Sequence, residues 1–361
     1  MLFLPLALGC SRLNGPERSG GTDGQTELVL GTVCRIKLYG EGNQALYRRL
    51  FDRLRELDGL LSAHAADSEL SRINGAAGNA PVSVSRELMA VLERALYFAE
   101  ASGGAFDPTV GPLVKLWDRG PGGSEAFSPE PEEGQSIPSP EEIAAALALV
   151  DWRELFLDRG GGTAFLSRPG MSLDLGAIAK GYAADELVRI LEETGTAAAI
   201  IDLGGNIYAH GENPAGRPEA PGGRKLWRIG IQNPLDKRGA YAGVAELKDL
   251  SAVTSGVYER FFIYRGKRYH HILDTSTGYP VENGLLSVTI FHRSSMDADA
   301  LSTAVFALGY EGGKALAEKE GAVPLFIFED KTVSGGGTAF KLTDDSFRKI
   351  TGRSPPAPSQ K

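Results

Sequence analysis

The stretch Ser172-Leu173-Asp174-Leu175-Gly176-Ala177-Ile178-Ala179-Lys180-Gly181-Tyr182 decides how the second half of the chain is read. Alternating apolar residues over 171–175 predict a short strand. Gly176 supplies a turn, and the spacing beyond it predicts a helix over 177–194, closed by Gly195. Such a turn presents free N–H groups and the positive end of the helix dipole, which suit a phosphate. Lys180 opposes the dipole in the first turn, and a nearby anion would account for it. A plain strand–turn–helix with a surface lysine accounts for the same residues. The GxxxxGK[ST] order of a Walker loop and the GxGxxG of a dinucleotide fold are both absent.

Working outward, residues 27–38 read as one strand. Leu46, Leu50, Leu54, Leu57 and Leu61 predict an amphipathic helix over 44–61. A second helix runs from about Ser85 to Ala101 and stops at Gly103-Gly104. Residues 118–138, rich in Pro, Gly, Ser and Glu, read as a surface loop. Ser139-Pro140-Glu141-Glu142 is a capping box opening a short helix. Further strands are expected at 198–203, 226–232, 261–264, 285–291 and 323–328, and a helix at 298–308 closed by Gly309. Strands come in groups rather than in strict βαβ alternation, which predicts an α+β fold with mostly antiparallel sheet. One domain is expected over 27–345, with 346–361 a disordered tail.

The 361 residues carry 38 Lys+Arg and 46 Asp+Glu, a formal charge of 38 − 46 = −8. That balance argues against general nucleic-acid binding. Hydrophobic residues make up 42 %, too many for a disordered chain. Two cysteines exclude a disulfide framework and a thiolate zinc site. Cys10 ends an apolar run beginning Met1-Leu2-Phe3-Leu4, the pattern of a lipoprotein signal without its basic start, and 11–26 reads as a tether. Cys34 lies in a strand-like run and reads as a small buried hydrophobe.

Three more clusters bear chemistry. Gly104-Ala105-Phe106-Asp107-Pro108 puts an aromatic and a carboxylate on a backbone fixed by Gly and Pro, or is simply a helix cap and turn. His270-His271-Ile272-Leu273-Asp274-Thr275-Ser276 offers a base and a carboxylate to orient it, or a hairpin turn with one satisfied histidine. In Asp297-Ala298-Asp299-Ala300-Leu301-Ser302-Thr303, Asp299 and Thr303 share one helix face, where their oxygens suit a hard cation such as Mg²⁺. Capping would explain Asp297.

In this order the clusters resemble the ApbE family, the FAD:protein FMN transferases of bacterial periplasms. The likeness runs from Leu28 to Leu342. It includes Ser68-Glu69-Leu70-Ser71-Arg72-Ile73-Asn74, GAFDPTVGPLVKLW ending at Trp117, DLGAIAKGYAAD ending at Asp185, and Ile201-Asp202-Leu203-Gly204-Gly205-Asn206. Thr254-Ser255-Gly256-Val257-Tyr258-Glu259-Arg260, His271-Ile272-Leu273-Asp274 and Ala298-Asp299-Ala300-Leu301-Ser302-Thr303 complete it. The resemblance implies a cleft between two intimate subdomains in which FAD is split with Mg²⁺. FMN then passes to a Thr or Ser hydroxyl of an acceptor protein and AMP leaves. By the same resemblance Asp299, Thr303 and the carbonyl of Ala177 hold the metal. Ala105, Phe106, Asp107, Asp174, Lys180, Ile272, Asn74 and Ser255 stand on the FAD side, and His271 with Asp274 assists deprotonation of the acceptor hydroxyl. The implied acceptor is a subunit of a membrane electron-transfer complex, and the implied location is the periplasmic side of the bacterial inner membrane, through lipid on Cys10. Two departures stand out: Thr275 and Ser276 replace the usual Pro and basic residue, and Ser302 stands where some members carry a second acid. A Mg²⁺-dependent FAD pyrophosphatase and a non-catalytic FAD-binding lipoprotein use the same cradle and remain alternatives.

Overall fold

The computed structural model describes residues 24–40, 44–118, 137–215 and 225–350. The expected lipid site at Cys10, its tether up to residue 23, most of the 118–138 loop and residues 351–361 lie outside the described residues; Gln25 and Thr26, expected in the tether, and Arg348–Ile350, expected in the tail, belong to strands.

The strand expected over 27–38 is a hairpin. Leu30 and Gly31 both take positive φ (56° and 63°) and split it into β1 (Gln25–Val29) and β2 (Thr32–Leu38). That pair of left-handed residues makes a two-residue turn whose twist matches the flanking strands. The helices α1 (Gln44–Leu61), α2 (Glu69–Gly75), α3 (Arg86–Ala101), α4 (Gly111–Trp117) and α5 (Pro140–Leu147) follow, with a short β3 (Val82–Ser83) between α2 and α3. Ser85 caps α3, and the Ser139–Glu142 capping box opens α5. β5 (Thr163–Leu166) pairs with β3 on one side and with β4 (Leu155–Asp158) on the other, and α6 (Ala179–Glu193) comes next.

The remaining chain is mostly sheet: β6 (Ala198–Leu203), β7 (Asn206–Gly211), β8 (Trp227–Gln232), β9 (Tyr241–Leu247), β10 (Leu250–Gly256), β11 (Phe261–Tyr264), β12 (Lys267–His270) and β13 (Leu285–His292). α7 (Ser295–Lys319), β14 (Val323–Phe328), β15 (Thr332–Gly335), β16 (Phe340–Leu342) and β17 (Arg348–Ile350) close it. A nine-stranded sheet runs β1-β2-β6-β7-β10-β13-β14-β15-β17 and is antiparallel except between β15 and β17. The expected α+β class holds.

Period-two alternation gives this sheet two apolar faces. Val288 and Ile290 of β13 and Phe326 of β14 pack with α1, α3, α6 and α7 in the main core. Phe291, Leu325 and Ile327 point the other way, onto Trp227, Ile229, Ala245 and Leu247 of the small sheet β16-β9-β8.

Two expectations fail instructively. Residues 171–175 make only an isolated bridge, Val110 to Ser172. A side chain takes the place of a partner strand: Asn74 Nδ2 donates to the Leu173 carbonyl (3.0 Å), and the Leu173 N–H donates to Asn74 Oδ1 (2.6 Å). The helix expected to stop at Gly309 breaks there (φ 74°, ψ −172°) and then resumes to Lys319. Asn283 Nδ2 donates to the Phe306 carbonyl at that break (2.6 Å), replacing a lost helical partner.

Candidate active site

A cavity of about 2500 Å³ gathers residues from all four clusters. Its floor is set where α6 meets α7. The Gly181 N–H, one of the orphan donors at the start of α6, donates to Asp299 Oδ2 at 2.9 Å. In return Asp185 of α6 accepts from the Ser295 and Met296 N–H groups and from Ser294 Oγ at the start of α7 (2.7, 3.0 and 3.0 Å). Each helix supplies the carboxylate for the other's positive end. The helix-start donor that sequence reasoning offered to a phosphate is therefore partly used by Asp299.

Asp297 does not cap α7. Ser294 does, accepting from the Asp297 N–H, while the Asp297 carboxylate takes both arms of Arg94 (2.7 and 2.9 Å). Asp299, one turn from Ser295, is buried, and burial raises its pKa against the opposing pull of Lys180 and the Gly181 N–H. Its second oxygen has no hydrogen-bond partner among the described residues. Thr303 stands one turn on, with its hydroxyl 3.3 Å from Ser255 Oγ, and Ser255 also meets Ser302 (2.8 Å). Ala177, Asp299, Thr303 and Ser255 all line the cavity. A carboxylate, a hydroxyl and a backbone carbonyl are hard oxygen donors, and Mg²⁺ takes one or two carboxylates while keeping sites for water and phosphate. The donor set fits that ion. Among the described residues no group of three or more His, Cys, Asp or Glu side chains is placed to cage a metal.

Lys180 lines the cavity, and its Nζ donates to the Gly176 carbonyl (2.6 Å) in the turn below it. Asp174 accepts from the Gly176 N–H (2.8 Å), tightening the same turn. Asp107 is buried, which raises its pKa. It accepts from the Thr109 N–H and hydroxyl (both 2.7 Å) and from the Trp152 N–H (3.0 Å). Ala105, Phe106 and Asp107 reach the cavity from this knot. Thr275, a departure in the sequence, donates to the Gly104 carbonyl (2.6 Å) and ties the histidine loop to it.

The two histidines divide the readings offered for them. His270 is buried; its Nε2–H donates to the Val281 carbonyl (2.9 Å), and its Nδ1 accepts from the Ile272 N–H (3.3 Å). It is the satisfied structural histidine. His271 and the buried Ile272 line the cavity. A carbonyl can only accept, so the His271 bond to the Arg260 carbonyl (3.2 Å) places the proton on Nδ1 and leaves Nε2 with its lone pair. His271 is open to the cavity, so partial desolvation, with the Arg260 cation second, lowers the imidazole pKa from its ordinary value, and the ring is neutral at pH 7.

Two expected site residues do other work. Asp274 does not orient His271: its Oδ1 accepts from the Ser276 N–H and hydroxyl (2.8 and 2.6 Å), and the Arg260 carbonyl holds the ring instead. Asn74 does not line the cavity; both ends of its amide are spent on Leu173. So the segment that leads to Asp174 and Lys180 is held on one side by one asparagine of α2 and on the other by backbone bonds to Pro108 and Gly111.

Four clusters, in one order along the chain, meet around one cavity, and the ApbE family model matches residues 30–327. This chain belongs to the ApbE family. It is 43 % identical over 319 residues to the FAD:protein FMN transferase of Treponema pallidum, covering 86 % of this chain and 85 % of that one. To the FAD:protein FMN transferase of Escherichia coli (strain K12) it is 31 % identical, covering 90 % and 89 %. Its fold is similar to the flavin transferase ApbE from Vibrio cholerae (TM-score 0.71, 32 % identity, 90 % and 97 % covered). It is also similar to the ApbE protein from Thermotoga maritima (TM-score 0.72, 31 % identity, 89 % and 96 % covered). In this ApbE-family chain sequence reasoning missed the roles of Asp185 and Arg260. Asp185 acts across to another helix, and Arg260 acts through its carbonyl, which no side-chain pattern reports. It also missed Glu259, which lines the cavity and whose pKa is raised by desolvation against Arg238, Arg260 and Lys180.

Proposed function

We propose that this protein is an FAD:protein FMN transferase: it moves the FMN part of FAD to a Thr or Ser hydroxyl of an acceptor protein and releases AMP. The observation that carries the reading is that Lys180, Asp299, Thr303 and His271, from three separated motifs, line one cavity. The acceptor oxygen attacks the FMN-side phosphorus, a P–O bond to the AMP phosphate breaks, and the hydroxyl proton passes to His271 Nε2. Lys180 supplies positive charge to the pyrophosphate. Asp299, Thr303 and the Ala177 carbonyl would hold Mg²⁺, which when bound neutralises charge on the phosphate oxygens. The negative pyrophosphate also raises the His271 pKa, since a nearby anion favours imidazolium. His271 is thus a weak base in the empty site and a stronger one once substrate is bound. Asp107, Thr109, Asn74 and Thr275 hold the loops that carry these groups.

In the same reading, lipid on Cys10 anchors the enzyme at the periplasmic face of the inner membrane, and the acceptor is a subunit of a membrane electron-transfer complex. Loss of labelled palmitate incorporation in Cys10→Ala tests the anchor. Mass spectrometry of acceptor proteins after incubation with FAD and Mg²⁺ tests the reaction: a mass gain equal to FMN with stoichiometric AMP is expected. Free FMN and AMP with unlabelled protein would make the enzyme a pyrophosphatase. Retained FAD without AMP would make it a binder.

A further inference from the structure

We propose that the edge of β8 left unpaired among the described residues receives an extended segment of the acceptor protein as an added strand. This rests on the transferase reading, which requires a macromolecular second substrate in the same cavity. About 2500 Å³ is well beyond the roughly 300–1000 Å³ of a small-molecule pocket. A peptide drawn into that space must still pair its backbone N–H and C=O groups.

β8 is the end strand of β16-β9-β8, and among the described residues only β9 pairs with it. Arg228, Ile229, Gly230, Ile231 and Gln232 all line the cavity. Alternate side chains of a strand point to opposite faces, so five consecutive lining residues mean that the cavity meets the strand edge-on. Ile229 and Ile231 have their side chains in the apolar core beneath, which leaves their backbone to face the space. β1 meets the cavity at Leu28 alone, and β11 and β12 at three residues each, against five consecutive residues of β8.

Gly230 sits in the middle of β8. A Cβ there would lie 2.5 Å from the Tyr241 ring, which crosses the strand at that point. The glycine thus makes room for the Tyr241 side chain of β9. Tyr241 and Leu235 remain 54 % and 50 % exposed at this rim, apolar surface for the side chains of an arriving segment. The turn after β8, from Pro234 to Gly239, lines the same cavity as Lys180 and His271. A segment paired along β8 therefore shares one space with the reacting groups. Backbone pairing gives affinity with little sequence demand, and the pockets beside the hydroxyl give the choice.

The probe is an immobilised library of eleven-residue peptides with a central Thr and randomised flanks, incubated with the full-length enzyme, FAD and Mg²⁺. The most strongly flavinylated member is then resynthesised with each backbone amide N-methylated in turn. Expected is a two-residue period in transfer rate, with about tenfold loss at one parity for each lost backbone hydrogen bond, and slowed amide hydrogen exchange within 228–232 when that peptide is present. Transfer without the period, or protection confined to other segments, overturns the proposal while leaving the transferase reading intact. AMP release with no flavinylated peptide in the library counts against the transferase reading itself.

Discussion

The Gly181 N–H donates to Asp299 Oδ2 at 2.9 Å, and the same glycine lies against the backbone of α7. A Cβ at 181 would stand 2.3 Å from the Ser295 carbonyl oxygen and 2.7 Å from Asp299 Cβ. Neither neighbour can move without moving a helix. Gly181→Ala is therefore expected to cost about 1–3 kcal/mol as an overpacked contact. Loss of transfer should be larger than the fall in thermal midpoint accounts for, because Asp299 is displaced from its donor. Circular dichroism melts beside kcat/KM check both; a fully active variant would mean that the α6–α7 contact does not set the site.

Asn74→Ala removes both bonds to Leu173 and leaves a backbone pair without partners. A loss of about 1–3 kcal/mol is expected. Because the Asp174–Gly176 turn hangs from that pair, the KM for FAD should rise more than kcat falls. Asn74→Asp keeps the acceptor and loses the donor, so it should recover part of the stability. Equal kinetic parameters in all three proteins would remove Asn74 from the support of the site.

Asp299→Asn tests the cation. Partners that only orient a metal ligand are worth about 10–100-fold in affinity, so a direct ligand should cost at least that much in Mg²⁺ titrations. In the unaltered protein burial holds the Asp299 carboxyl above its ordinary range. Metal must displace that proton, so Mg²⁺ affinity should weaken as pH falls through a value higher than that of an exposed aspartate. Isothermal titration across pH reads this directly.

In the empty cleft the His271 pKa lies below the usual histidine range. The acid limb of kcat/KM, which reports the free enzyme, should lack a break near 6.5. The limb of kcat should show one, since bound pyrophosphate raises the imidazole pKa. His271→Ala should lose about 10²–10⁴ in kcat with FAD binding, followed by flavin fluorescence, unchanged.

His270 gives a stability signature instead. Burial lowers its pKa in the fold, so below about 6.5 the unfolded chain takes up a proton that the fold resists. Stability should be full above about 6.5 and decline as pH falls from there toward the lowered native value. His270→Gln should be less stable at pH 7 yet show a shallower slope in that window, by urea melts at several pH values.

The sequence determined a good deal alone. Leucine spacing gave α1, a serine before each run gave the starts of α3 and α5, and strand composition gave β6, β11 and β14. Those signals are local, and so is the same-face pairing of Asp299 with Thr303. Ordered motifs were enough for the family. Tertiary structure decided what each motif touches. Residues 171–175 looked like a strand, but strand pairing needs a neighbouring strand, and the neighbours were a turn at 108–111 and an asparagine side chain from α2. Asp274 looked like the orienter of His271, but a carboxylate beside a serine two residues on closes its own turn first. Leu30 and Gly31 turned one predicted strand into a hairpin through positive φ, a preference that the leucine does not advertise. The reciprocal capping of α6 and α7 by Asp299 and Asp185 joins residues more than a hundred positions apart. No periodicity spans that distance; only packing the two helix starts together makes each carboxylate the answer to the other's unpaired N–H groups.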